Sequence, residues 1–186
     1  QKFENVGFRP PNISSGFSDI RGFLKFSPAK APPVTALKLG FKAPTGDFVV
    51  VDGLIPVGEG QWDFDFIGQF GHSFWPMPIY ANLDIGYRFR LKNDKISRDP
   101  GNEWLFNAEI GYTPMARVLL ALKLDGIRGN PSTTIGLTIP SDLKRVTYLS
   151  PTVSLKAFNS IQLEGALRFS LNGRNFPAGN MLVIGL

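Results

Sequence analysis

Strict alternation of apolar and polar residues is the feature that most constrains this chain. In the stretch IYANLDIGYRFRL (79–91) every odd-numbered residue is apolar, whereas the even-numbered positions include Asn82, Asp84, Arg88 and Arg90. Successive side chains of a strand point to opposite faces, so the pattern predicts a strand with one apolar and one charged face. The apolar face of a soluble sheet covers a core, whereas in a membrane barrel it contacts lipid and the charged face lines a lumen.

Nine segments alternate in this way and predict nine strands. They cover residues 17–27, 37–43, 61–74, 79–91, 103–112, 116–124, 148–158, 160–171 and 181–186. The apolar register of these segments contains no Lys, Arg, Asp or Glu. A lipid-facing surface must be free of charged side chains, because Lys or Arg at the bilayer midplane costs about 2–4 kcal/mol. Trp62, Trp104 and Tyr112 lie near strand ends on the apolar register, as interfacial aromatic girdles require.

The connections between these segments alternate between short and long. Transmembrane barrels do this because their periplasmic turns are tight and their outer loops are free to grow. The pattern therefore predicts an all-β fold, an antiparallel up-and-down transmembrane β-barrel that occupies residues 1–186 as a single domain. Bacterial single-chain barrels have an even number of strands. We therefore expect about ten to twelve strands in the intact protein, with KFENVGF (2–8) as a candidate tenth strand, and this chain as a trimmed or C-terminal portion of it.

The register opposite to the apolar one carries nearly all the charge of the strands, Asp19 and Lys42 included. Charges of both signs inside a narrow barrel predict either a lattice of ion pairs or a polar constriction. We expect Glu164 to pair with Arg168 or Lys156. The residues predicted to line the lumen are Arg21, Lys25, Lys38, Asp63, Asp65, Asp84, Arg88, Arg90, Glu109, Arg117, Lys123, Lys156, Glu164 and Arg168.

Asp63 and Asp65 lie two residues apart on one face of a predicted strand. They could share a proton or bind a cation. The alternative that we favour is that each pairs with a cation across the sheet. Arg88 and Arg90 are the expected partners, because the short link WPMP makes their strand the antiparallel neighbour.

The sequence contains few groups for catalysis or metal binding. Cysteine is absent, and the one histidine, His72, falls on the apolar register and is expected at the lipid interface. Asp94, Asp99 and Glu103 lie in a predicted loop that could bind a divalent cation, but their spacing fits no EF-hand and favours a solvated loop. We therefore predict no enzymatic activity, no metal and no cofactor.

Four short motifs carry a family resemblance: KAPTGD (42–47), GYRFR (86–90), DPGNE (99–103) and GRNFPAG (173–179). Through them, from about residue 15 to the end, the chain resembles the outer-membrane β-barrel family of phenol meta-cleavage pathway transporters. The resemblance implies a Gram-negative outer membrane, uptake of hydrophobic aromatic compounds and no catalytic residues. Members of that family have further strands before the position of SGFSD and usually end a few residues later with an aromatic residue.

Three hypotheses for function follow. The first is a passive channel or uptake porin for small solutes, hydrophobic aromatics included. The second is a structural anchor barrel, a subunit of a larger cell-envelope complex, because about eight strands fill with side chains and only sixteen or more leave a wide channel. The third is a soluble lipocalin-like binder, which would have to enclose the apolar register and expose the charged one.

The expected partners follow from the same patterns. They are the lipid bilayer with its lipopolysaccharide, a small solute, and partner subunits in an envelope complex. The net charge is +5, but the basic residues are scattered singly rather than in runs, so nucleic acid is not expected. No window of 18 apolar residues exists, which excludes a transmembrane helix.

Overall fold

The computed structural model describes residues 16–28, 31–48, 56–158, 161–176 and 179–185. The predicted tenth strand at 2–8 lies outside this part of the chain. The strands are β1 (Ile20–Phe26), β2 (Val34–Ala43), β3 (Asp63–Ser73), β4 (Ile79–Arg90), β5 (Arg98–Asp99), β6 (Glu103–Met115), β7 (Val118–Gly129), β8 (Ser132–Thr134), β9 (Leu137–Ile139), β10 (Arg145–Phe158), β11 (Ile161–Arg174) and β12 (Met181–Gly185). A short 3-10 helix covers Pro140–Asp142.

Nine of these strands form one antiparallel sheet in the order β1-β2-β3-β4-β6-β7-β10-β11-β12. Each strand pairs with the next long strand of the chain, as an up-and-down barrel requires, and β1 and β12 form the two edges of the described sheet. The nine predicted strands and their antiparallel order are thus confirmed. The short links leave one end of the sheet, here called the short-turn end, and the long links leave the other, the long-connection end.

The strands β7 and β10 are longer than predicted. The sequence assigned residues 125–147 to a connection, but pairing continues to Arg128 and Arg145, which lie directly opposite each other. Backbone pairing does not require alternation, so the two strands continue past the point at which their apolar register ends. The remaining connection contains β8 and β9, which form a second, three-stranded sheet with β5 at the long-connection end.

The two faces of the large sheet differ in exposure as the alternation predicts. Large apolar side chains are exposed, for example Phe66 at 50%, Ile110 at 53% and Leu167 at 50%. On the opposite face Asp63 and Asp65 are only 2% and 5% exposed. A soluble lipocalin-like fold would place the apolar side chains inside, so this arrangement excludes it. Among the described residues, no helix has the length and apolar character needed to cross a bilayer.

Candidate functional site

A group of charged side chains lies close together on the polar face, near the long-connection end. We call it the ion-pair cluster. Its strand residues come from positions that the antiparallel register places side by side on β2, β3, β4 and β6. Two further carboxylates come from just before β1 and from the β2–β3 connection. The cluster consists of Asp19, Lys42, Glu59, Asp63, Asp65, Arg88, Arg90 and Glu103.

Arg88 occupies the centre of one row of this cluster. It lies directly opposite Asp65 on β3 and Glu103 on β6. Its Nε and Nη2 donate to the two carboxylate oxygens of Asp65 at 2.7 and 3.2 Å, and its Nη1 donates to Glu103 at 3.0 Å. The bidentate geometry makes this pair strong and fixes the guanidinium in one plane. The structure thus contains the Asp65–Arg88 pair that the sequence predicted.

Arg90 links the row of Asp65, Arg88 and Glu103 to a second row, in which Lys42, Asp63 and Arg90 lie side by side. Its Nε lies 3.4 Å from Asp63, its Nη1 donates to Glu103 at 3.0 Å and its Nη2 donates to Glu59 at 2.9 Å. The predicted Asp63–Arg90 pair is therefore present, and each aspartate has its own arginine. This is the alternative that the sequence favoured, in which each carboxylate pairs with a cation across the sheet.

Lys42 is the cluster residue that β2 contributes. Its ammonium lies 3.0 Å from Asp63, 3.4 Å from Asp19 and also pairs with Glu59, while the side chain is only 3% exposed. A buried ammonium is costly unless carboxylates surround it, and three carboxylates do so here. The cluster therefore acts as one connected unit rather than as separate surface pairs.

Glu59 ties the long β2–β3 connection to the strands. Burial alone would raise the pKa of Glu59, but the charge of Arg90 and the hydrogen bond and charge of Lys42 outweigh burial and lower the pKa to about 2. The backbone N–H groups of Gly46 and Glu59 donate to Asp19 at 3.1 and 3.0 Å. These hydrogen bonds hold both the start and the end of the β2–β3 connection. With this pKa, Glu59 is ionised at neutral pH.

Sequence patterns missed Glu59 and misplaced Glu103. Glu59 lies between two glycines in a long connection, where no periodicity marks it. Glu103 was expected in a solvated loop with Asp94 and Asp99, but it is 4% exposed and pairs with both central arginines. Its place next to Trp104 on the alternating register was the signal that could have identified it. The alternative that Asp94, Asp99 and Glu103 bind a divalent cation gains no support, because the described residues contain no group of three potential metal ligands.

A second, looser set of charges lies on β7, β10 and β11. The amine of Lys123 donates to Glu164 at 3.0 Å, and Arg168 donates to Asp125 at 2.5 Å. These side chains are about 29–39% exposed. The predicted pairing of Glu164 with Arg168 or Lys156 is therefore wrong.

The reason is the small size of the residues on β10. Ser150, Thr152 and Ser154 are buried on the polar face of β10, between β7 and β11. Because their side chains are short, charged residues of the two flanking strands meet above them. Lys123 and Glu164 thus pair across an intervening strand, which adjacency along the chain does not predict.

The other residues predicted to line the lumen have varied surroundings. Gln69 donates to Asp84 at 3.0 Å, and the hydroxyl of Tyr80 donates to Glu109. Lys38 lies over the ring of Phe23, 4.1 Å from its centre. Arg21 lies 3.7 Å from Asp63 at the edge of the cluster. The exposed side chains of this set, which form no ion pair within the described residues, are Lys25, Arg117 and Lys156. The assignment of all these residues to a lumen stays a prediction.

Two cavities lie on the polar face away from the cluster. A cavity of about 440 Å³ near the short-turn end has Lys25, Gln69, Tyr80 and Asp84 in its lining. A cavity of about 260 Å³ lies between the Lys123–Glu164 and Arg168–Asp125 pairs. A further cavity of about 340 Å³ lies between the cluster and the long connections, with Glu59 and Arg90 in its lining. The cluster side chains are thus packed against one another, with open space on either side of them.

His72 lies on the exposed register, half-buried, with its ring at 4.8 Å and nearly perpendicular to that of Phe74. No carboxylate is paired with it among the described ion pairs. Its register is the one that the sequence predicted, its placement at a lipid interface stays a prediction, and the described contacts give no geometry for a catalytic triad.

Comparisons with known proteins agree with this architecture. The family model described as "Putative MetA-pathway of phenol degradation" matches residues 4–185. The crystal structure of an outer membrane channel from Pseudomonas putida F1 matches with a TM-score of 0.71 and 18% sequence identity, over 92% of this chain and 64% of that one. This chain thus spans 64% of the length of that channel. No curated protein matches this sequence.

Proposed function

This chain belongs to the family described as "Putative MetA-pathway of phenol degradation", and on that premise we propose that it acts as a passive channel for small solutes. The fold that it shares with an outer membrane channel supports a location in the bacterial outer membrane. The same similarity suggests a transporter rather than an enzyme. The long connections then face the cell exterior and the short turns face the periplasm.

One observation carries the proposal: the charged and hollow face of the sheet lies opposite an exposed apolar face. Exposed side chains such as Phe66 and Leu83 suit hydrocarbon, whereas buried Asp63 and Arg90 need a polar interior. The cavities of about 440 and 260 Å³ on the polar face give room for water and for small molecules. A polar route along the strands is what a channel requires.

The ion-pair cluster supports a route with little charge selectivity. With the outlying Arg21 and Lys144, both 3.7 Å from a cluster carboxylate, the described residues contribute five cations and five carboxylates to this region. A balanced constriction orients dipolar solutes without a strong preference for either ion sign. Together with the family description, this favours small neutral molecules, aromatic compounds included.

A structural anchor is the second candidate, and the dense packing of the cluster favours it. Lys42, Asp63 and Arg90 are each at most 6% exposed, so the row that they form across β2, β3 and β4 leaves little free space between its side chains. A barrel filled in this way would insert and fold without conducting. In that case the barrel would serve as a subunit of an envelope complex.

Reconstitution separates the two candidates. Purified protein is inserted into planar lipid bilayers, and folding is checked by the heat-dependent shift of gel mobility that β-barrels give. A channel produces discrete current steps and makes small neutral solutes leave loaded liposomes faster than they leave protein-free liposomes of the same lipid. Folded, inserted protein that gives neither current nor efflux would contradict the channel and support the anchor.

A further inference from the structure

Three arginines lie side by side across three neighbouring strands. Arg145 on β10 is directly opposite Arg128 on β7 and Arg174 on β11. Directly paired residues share a face of a sheet. All three are exposed, and we call them the arginine row.

The arginine row lies on the apolar face, just past its end. Arg128 shares its register with Leu124, and Arg145 shares its register with Leu149, the residue paired with Leu124. Each arginine is four residues beyond its leucine, which is about 13 Å along a strand. The row is therefore outside the apolar band, toward the long-connection end, on the surface that faces outward.

Aromatic residues mark the same level on the next strands. Trp104 on β6 is paired directly with Arg128 and is 54% exposed. Its ring contacts that of Tyr87 on β4, with centres 4.8 Å apart. Exposed aromatic rings of this kind lie at the boundary between hydrocarbon and headgroups. The arginine row thus continues an interfacial belt around the barrel wall.

The row lacks the carboxylates that the ion-pair cluster has. Within the described residues none of the three arginines forms an ion pair, and Arg174 donates one N–H to the carbonyl of Pro140 at 3.1 Å. Like charges directly opposite each other destabilise a sheet. An anion that bridges the guanidinium groups would remove this repulsion.

We propose that the arginine row binds the phosphate groups of a phosphorylated glycolipid in the outer leaflet. Guanidinium groups bind phosphate in a bidentate manner. The backbones of neighbouring strands are about 5 Å apart, which lets one headgroup bridge two arginines of the row. The apolar side chains below the row contact the acyl chains of the same lipid. The inference rests on the proposed function only for the orientation, with the long connections at the cell exterior.

Native mass spectrometry of the detergent-solubilised protein tests the proposal. The probe is bisphosphorylated lipid A, compared with the dephosphorylated lipid of the same acyl composition. The bisphosphorylated form is expected to bind, and the variant R128Q/R145Q is expected to bind it roughly tenfold more weakly. Equal binding of both lipids, or unchanged binding by the variant, would overturn the proposal.

A matched variant controls for net charge. K92Q/K95Q removes two exposed cations at the same end of the sheet but outside the row, and its affinity for lipid A is expected to stay at the wild-type value. An equal loss in this control would overturn the row as a specific site. Displacement of the lipid by a molar excess of inorganic phosphate would show a simple anion site and would contradict the glycolipid.

Two further measurements keep the test independent of folding and of channel activity. If R128Q/R145Q fails to show the heat-dependent gel shift, R128K takes its place, because it keeps the charge but loses the bidentate fork. Current steps are recorded on the same preparations. Lipid binding with neither current nor solute efflux would contradict the channel alone, and current or efflux without lipid binding would contradict the arginine row alone.

Discussion

The polar face of the sheet has two regions that use charge differently. On β2, β3, β4 and β6 the charges form one connected cluster in which Asp63, Lys42 and Glu103 are at most 4% exposed. On β7, β10 and β11 the charges form two separate pairs that are about one-third exposed and enclose a cavity. Similar residue types thus produce a packed region and a hollow region within one sheet.

The residues between the charges explain the difference. In the cluster each of the four strands contributes a charged side chain to one of two adjacent rows, so the long side chains of Lys42, Arg88 and Arg90 and their carboxylate partners fill the space. Nearer the short-turn end, the polar face of β10 carries Ser150, Thr152 and Ser154, whose short side chains leave room above them. The short side chains of β10 thus leave a cavity between the two separate pairs, whereas long side chains occupy the corresponding space in the cluster.

The largest expected effect is at the centre of the cluster. Glu103→Gln removes the carboxylate that Arg88 and Arg90 share, which leaves two buried guanidinium groups undercompensated. We expect a loss of about 3–5 kcal/mol in the free energy of unfolding. Urea titration of the protein in lipid vesicles measures it. A loss below that of Glu164→Gln would contradict the distinction between the two regions.

A smaller effect is expected from acid at Glu59. Its pKa of about 2 in the folded protein lies below its ordinary value of 4.5, so its ionised form stabilises the fold at neutral pH. This stabilisation is lost as the pH falls from about 4.5 to about 2. Because the side chain is half-exposed, solvent screening limits the contribution to about 1 kcal/mol.

Glu59→Gln provides the comparison for this pH dependence. At pH 7 the variant should be less stable than the wild type, and the difference in unfolding free energy should shrink toward pH 2. A difference that is constant over this range would show that the carboxylate charge of Glu59 does not hold the connection.

The smallest effect is expected in the hollow region. Glu164→Gln removes the partner of Lys123, but both side chains are about 30–39% exposed and water replaces the lost contact. We expect a change of about 0–1 kcal/mol in the free energy of unfolding, measured under the same conditions as for Glu103→Gln. A loss of several kcal/mol would show that this pair is as strongly desolvated as the cluster.

The sequence predicted the strands and the contacts that depend on residues close together along the chain. Alternation predicted all nine strands, and the short link before β4 predicted that Asp65 would meet Arg88. It did not predict the partner of Glu164, because Lys123 reaches it across a strand whose small residues permit the contact. Nor did it predict that Glu59 belongs to the cluster, because Glu59 lies in a connection without an alternating pattern. Contacts that depend on the path of a connection, or on side-chain size on a third strand, can be identified only in the folded structure.

The exposed apolar face is the central claim, and one pair of variants tests it most directly. Leu83 lies on the apolar face and Asn82, its chain neighbour, on the polar face of β4. Insertion and unfolding are measured in lipid vesicles for Leu83→Arg and for Asn82→Arg. We expect Leu83→Arg to lose about 2–4 kcal/mol or to fail to insert, and Asn82→Arg to insert like the wild type. Equal behaviour of the two variants, or a larger loss for Asn82→Arg, would contradict a lipid-facing apolar register.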